Sequence, residues 1–194
     1  MADLSIFKAK PKNIVKWINE KEKPLQPTAA GFWLRKLNIN IDQEHWKIPK
    51  TATKEVRLRE LQWKIMHNIY ATNIMLHKMK VKEDNKCSLC RNQIDYIEHF
   101  FYECPPVLDF WKKLTGYIHG ETLIRFKLGI KEILFGLKYS ENPTHDKKTI
   151  DKVNNLILIG KMCISKYKKA EMNTPIYIIF EQEVSMRNKC NKSK

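Results

Sequence analysis

Residues 86–104 read KCSLCRNQIDYIEHFFYEC, and this run holds three of the chain's five cysteines and one of its six histidines. Cys87 and Cys90 form a Cys-x-x-Cys pair, and His99 and Cys104 follow as His-x4-Cys. Thiolate sulfur and imidazole nitrogen, about four donors in all, are what a tetrahedral zinc ion takes. A Cys-x-x-Cys turn brings two sulfurs to one ion, so the second pair must come from an element that folds back. Asp95 and Glu98 read as N-cap and N3 of a short helix. That places His99 in the first turns, and Pro105 and Pro106 stop the helix so that Cys104 falls at its end. The expectation is one structural zinc on Cys87, Cys90, His99 and Cys104, because four ligands in a compact knuckle leave no open position for catalysis. Two other readings stay open. The cysteine pair could be a redox dithiol, although no thioredoxin-like βαβ pattern surrounds it. Alternatively, His99 and Cys104 could be packing residues and Cys87 and Cys90 free thiols.

Working outward, residues 53–70 read as the best helix. Leu58, Leu61, Ile65 and Ile69 form one apolar stripe, with Arg57, Glu60, Lys64 and Asn68 opposite. Thr53 is a candidate cap with Glu55 in the first turn, and Thr72 opens a second, shorter helix. Lys78, Lys80 and Lys82 then alternate with Met79 and Val81, which on a strand would put the lysines on one face and the apolar pair on the other. With Lys86 and Arg91 this strand would give the knuckle a basic edge. Lys64, Lys78, Lys80, Lys82, Lys86 and Arg91 are the candidate nucleic-acid contacts; the alternative for them is a solvated face.

Beyond the knuckle, Val107, Phe110, Trp111 and Leu114 line one side of a helix, and Ile97, Phe100, Phe101 and Tyr102 read as mostly core. Residues 123–128 suggest a strand, 131–137 a helical turn or strand, and 139–146 a loop. Residues 150–167 form an amphipathic helix on Val153, Ile157, Ile164 and Tyr167, with Leu156 and Cys163 beside them and Lys161, Lys168 and Lys169 away from the stripe. Thr174 and Pro175 read as N-cap and N1 of a last helix carrying Ile176, Ile179 and Phe180. Upstream, Asn13 could cap a helix with Ile14, Trp17 and Ile18, and Pro24 and Pro27 break the stretch after it. Phe32, Trp33 and Trp46 lack a clear period and read as packing residues, with base stacking the alternative. The fold class is mainly α, a helical domain with a small Cys-Cys-His-Cys zinc knuckle inserted between helices. The division is 1–50 as a partly helical or linker segment, 51–185 as the helical domain with the knuckle at 86–105, and 186–194 as a basic, flexible tail.

The chain of 194 residues is 43% hydrophobic with a net charge of +15 and a pI near 9.6. That hydrophobic content excludes a disordered protein, and the charge favours an anionic partner, nucleic acid first. A lysine-rich solvated surface is the plain alternative, and an anionic membrane surface a distant one. No signal-peptide core or membrane-length apolar run is present, so the expected location is intracellular, nucleus or cytoplasm, with reduced thiols and no membrane partner. No Walker loop, Gly-x-Ser-x-Gly elbow, His-Glu-x-x-His or deaminase signature occurs, so no enzymatic activity is expected.

Residues 54–111 resemble the segment that follows the polymerase domain in LINE-type retrotransposon reverse transcriptases, which lack long terminal repeats. The resemblance rests on TKEVRLRELQWKIMHNIYATN, then CSLC, then IEHFFYEC, then Phe110 and Trp111. Weaker echoes are ILFG at 133–136 and NLILIGK at 155–161, and the whole covers roughly residues 45–185. It implies a zinc-binding region that accompanies a reverse transcriptase and helps it engage template RNA or target DNA with little sequence specificity. The polymerase's paired aspartates and the family's endonuclease part have no counterpart, so the chain looks like the C-terminal region alone, with its own Met1. A protein-interaction module docking on the polymerase, or a decayed element fragment without function, are the other expectations.

Overall fold

A computed structural model describes residues 27–170 and 174–192. The expected helix around Ile14, Trp17 and Ile18 lies outside them. The described residues are mainly helical: α1 Thr28–Leu37, α2 Gln43–Ala52, α3 Val56–Met66, α4 Asn73–Lys78, a π turn His99–Glu103, α5 Pro105–Thr122, α6 Ile130–Phe135, α7 Lys147–Ala170 and α8 Ile176–Lys192. The only β-type pairing among them is an isolated bridge between Lys86 and Ile94 inside the knuckle. The mainly α expectation is met, with the knuckle set between α4 and α5.

Local chemistry explains most boundaries. Asp42 caps α2 by accepting from the Glu44 and His45 N–H groups. Pro105 starts α5 at a position that needs no N–H donor. Asp146 accepts from the Thr149 N–H at 2.9 Å ahead of α7. Helix α3 is shorter than its sequence stripe suggests. It ends at Met66 because Asn68 adopts a left-handed φ of 56°, so Ile69 leaves the stripe and is exposed. The strand expected over 123–128 does not form: Leu123 closes α5 in a left-handed cap, and 124–129 run without regular structure to α6. Residues 186–192, expected as a flexible tail, continue α8. The helix begins one residue after Pro175, whose carbonyl receives the Ile178 N–H.

Helix α7 is the centre of the packing, lying against α2, α3, α5 and α8. It crosses α5 at Gly160, where an added Cβ would sit 3.1–3.2 Å from the Phe110 and Trp111 rings. The absence of a side chain at Gly160 therefore sets how closely the two helices approach. The core is continuous from Ala29 and Trp33 in α1 to Phe180 in α8. Trp33 and Trp111 are both buried, and each donates its indole N–H to a carbonyl, of Met66 and Phe101 respectively.

Because α7 is packed on several sides, two of its lysines, Lys161 and Lys168, are buried, while Lys152, Lys166 and Lys169 stay exposed. Lys161 is 1% exposed, and its Nζ donates to Gln62 Oε1 and to the Leu134 carbonyl at 3.2 Å. Burial with no anionic partner pushes its pKa down to about 7. A neutral amine has two N–H groups, which matches these two acceptors.

The pH dependence follows from that shift. The unfolded chain holds the Lys161 proton up to about pH 10.4, and the folded chain only below about 7. Between these values the unfolded state binds the extra proton, so Lys161 makes stability rise with pH by up to about 1.4 kcal/mol per unit. Below pH 7 its cost is fully present and constant. In urea unfolding at pH 7, 8 and 9, Lys161→Met is expected to lack this component of the slope.

Candidate metal centre and its basic rim

Each ligand position has a local origin. Cys87 donates its N–H to the Gln93 carbonyl at 2.8 Å, and its own carbonyl accepts from the Arg91 N–H at 2.8 Å. Arg91 takes a left-handed φ of 52°. This closes residues 87–91 into a tight loop that carries Cys87 and Cys90. The second pair depends on the π turn. In an α-helix five residues are about 1.4 turns, so His99 and Cys104 would point roughly 140° apart. In the structure the Cys104 N–H bonds the His99 carbonyl at 3.2 Å, a five-residue closure that sets residue i+5 nearly above residue i. The x4 spacing thus works because the helix is locally widened.

The four donor atoms of Cys87, Cys90, His99 and Cys104 all lie within 4.8 Å of one another. Cys87 Sγ and Cys104 Sγ are 3.7 Å apart, and Cys90 Sγ is 3.4 Å from His99 Nε2. A tetrahedron with metal–sulfur bonds of about 2.3 Å and metal–nitrogen bonds of about 2.0 Å has edges of roughly 3.8 and 3.5 Å. The cluster therefore fits one tetrahedral ion, with Nε2 as the histidine donor and the proton on Nδ1. That Nδ1 is buried with no hydrogen-bond partner among the described residues. No disulfide joins these cysteines.

The electrostatics around the cluster come from distant sequence. Lys168, near the end of α7, is buried with its Nζ 3.4 Å from Cys87 Sγ, 3.4 Å from Asp95 Oδ1, and 4.3 Å from the centre of the Phe100 ring. The hydrogen bond with Cys104 draws the Cys87 thiol pKa down, with Lys168 adding to the effect. The same contact pushes Cys104 up. Burial raises the Asp95 pKa against the pull of Lys168.

The sequence spacing makes Asp95 the cap of the ligand helix. Its carboxylate instead accepts the Asn73 N–H at 3.0 Å at the start of α4 and faces Lys168. Glu98, the expected N3 partner, pairs with Lys36 of α1 at 2.5 Å. Both acids of the apparent capping pair thus fasten the knuckle to other helices. Tyr70 packs edge-on against Phe100 and Phe101 and bonds Ser165 of α7, closing the apolar wall behind the site.

The basic candidates are only partly gathered. The strand expected over 78–82 is absent. Lys78 ends α4, Lys80 has a left-handed φ of 59°, and the Lys80 and Val81 N–H groups close back onto His77 and Leu76. Among the described residues no partner strand exists to hold the alternation, and Met79 and Val81, expected on the face opposite the lysines, are exposed. Lys82, Lys86 and Arg91 do converge, lining a groove of about 400 Å³ beside Cys87 and Ser88. Glu83 and Asp84 share that groove, with Asp84 accepting the Lys86 N–H at 2.9 Å. Lys78 lines a different groove with Lys36 and Tyr96. Lys64 is on α3, paired with Glu60 at 2.6 Å.

Residues 29–111 match the family model described as zinc-binding in reverse transcriptase. The match spans α1 to the first part of α5 and contains all four donors. No curated protein and no solved structure matches the chain. No helix among the described residues is long and apolar enough to cross a membrane.

Two substitutions separate ligation from its support. Cys104→Ser is expected to abolish stoichiometric metal binding and to lower the melting temperature of the metal-loaded protein. Lys168→Met is expected to retain one metal per chain at saturation but to bind it about 10- to 100-fold more weakly, as read by competition with a chromophoric chelator.

Proposed function

We propose that this chain is a zinc-stabilised nucleic-acid-binding region that works beside the polymerase of a LINE-type reverse transcriptase, C-terminal to it, and has no catalytic role of its own. The observation that carries this reading is the groove of Lys82, Lys86 and Arg91 against the Cys87 loop, inside the stretch that matches the zinc-binding family. Cys87, Cys90, His99 and Cys104 would hold one Zn²⁺, and the ion supplies folding energy to a loop too small to have its own core. The chain's own residues then do the binding. The Cys87–Arg91 turn fixes where Arg91 leaves the backbone, and the Lys86–Ile94 bridge fixes Lys86. Three cations on a rigid edge suit phosphate oxygens, which any sequence presents, so the binding is expected to be strong in low salt and nearly sequence-blind. The net charge of +15 favours the encounter with RNA or DNA.

Elemental analysis of the purified protein is expected to find one zinc per chain. Affinity for labelled RNA or DNA should fall by decades between low and high salt. Lys82→Ala, Lys86→Ala and Arg91→Ala together should reduce the slope of log K against log salt by roughly 2 to 3 units. A folded, zinc-loaded protein with negligible, salt-insensitive binding would overturn the reading and favour a surface that docks on the polymerase.

A further inference from the structure

Helix α3 carries Trp63, and His67 caps its end four residues on, so their side chains share a face. The His67 ring packs against two indoles, tilted 43° to Trp63 and 49° to Trp46. Its centroid is 4.5 Å from that of Trp63 and 5.0 Å from that of Trp46 on α2. The three rings form a ladder whose inner end is half-buried and whose outer end, Trp63, is 51% exposed. Trp33 and Trp111 each donate their N–H to a carbonyl, whereas within the described residues neither Trp46 nor Trp63 donates to the protein. A large aromatic ring held at the surface by its neighbours loses little conformational freedom when a second flat ring settles on it.

The charge around the ladder selects the kind of ring. The acids of α2 and α3 and their junction are all engaged: Glu44 with Ser140, Glu55 with Arg187, and Glu60 with Lys64. Lys47, Lys50, Lys54 and Arg57 have no acidic partner among the described residues. Lys50 lies one turn beyond Trp46 on the same side of α2. An exposed aromatic ladder with an unpaired lysine on the same side of α2 matches the two parts of a single strand, a base with a π face and a phosphate with a charge.

We infer that the Trp46–His67–Trp63 ladder is a stacking platform for an unpaired base of single-stranded RNA or DNA, with Lys50 meeting a flanking phosphate. The site is separate from the Lys82, Lys86 and Arg91 groove, and it rests on the nucleic-acid reading of the chain. In a duplex the bases stack on one another, so the platform discriminates single strands from double strands.

The test is the binding of a short dye-labelled oligothymidylate, and of a duplex, to the full zinc-loaded chain by fluorescence anisotropy at fixed low salt. Trp63→Ala is expected to weaken single-strand binding by roughly 5- to 150-fold, the range for loss of one base–aromatic stack. Duplex binding and the salt slope should stay unchanged, because no phosphate contact is removed. Trp63→Phe should recover most of the loss. Thermal melts matching wild type show that the half-exposed position tolerates the change. Equal single-strand affinity for Trp63→Ala and wild type would overturn the platform while leaving the basic groove standing; the face would then be free to seat a protein. A wild-type chain that binds the duplex but no single strand would overturn the platform alone, and one that binds neither would remove both.

Discussion

Three sulfurs and a ring nitrogen crowded within 4.8 Å are the constraint on which the rest of the fold depends. Such a group repels itself unless a proton or a cation sits among its members. The knuckle is too small to resist that repulsion alone, so its surroundings are drawn from the whole chain. Phe100 and Phe101 seal one side against Tyr70. Lys168 arrives from α7 to lie between Cys87 and Asp95. Lys36 of α1 takes Glu98, the residue just before the π turn. Every one of these contacts crosses to another part of the chain, so the metal-ligand loop is embedded in the core and not appended to it.

What could be read from the sequence was what depends on neighbouring residues. The four donors stood out because Cys-x-x-Cys followed by His-x4-Cys is chemically specific. Helices α5, α7 and α8 stood out because their apolar residues recur at helical spacing. The failures share a different cause. Asp95 and Glu98 have capping spacing, but stronger partners reach them from Asn73, Lys168 and Lys36. The alternation at 78–82 has strand spacing, but a strand needs a neighbour and none is present among the described residues. Trp63 falls off the apolar stripe of α3, and only the arrival of Trp46 from α2 makes it part of a ladder. In each case the deciding contact is long-range, and a local pattern carries no information about it.

Lys161 and Lys168 show how one helix can treat the same side chain in two ways. They are seven residues apart, about two turns, so they point in nearly the same direction from α7. Lys161 meets only an amide oxygen and a carbonyl, and burial moves it toward the neutral amine. Lys168 instead lies 3.4 Å from a thiol sulfur and 3.4 Å from a carboxylate oxygen. The first lysine completes a hydrogen-bond network inside the core, and the second supplies charge to the metal-ligand cluster. Neither is available to an external anion, so the chain's basic character must be expressed through the exposed lysines and arginines elsewhere.

The π turn has a consequence for how this region can vary in length. Between Cys90 and His99 the exposed Asn92 sits between Arg91 and Gln93, both tied to Cys87, and an inserted residue beside it could bulge outward with both ties kept. Between His99 and Cys104 no such freedom exists. Adding one residue would carry the second sulfur past the five-residue closure, and deleting one would restore an ordinary helix with the two donors one α-turn apart and the Phe100–Phe101 wall rotated out of place. Natural drift in this segment should therefore accumulate on one side of the histidine and spare the other, a one-sided record of indels written by the geometry of a single widened turn.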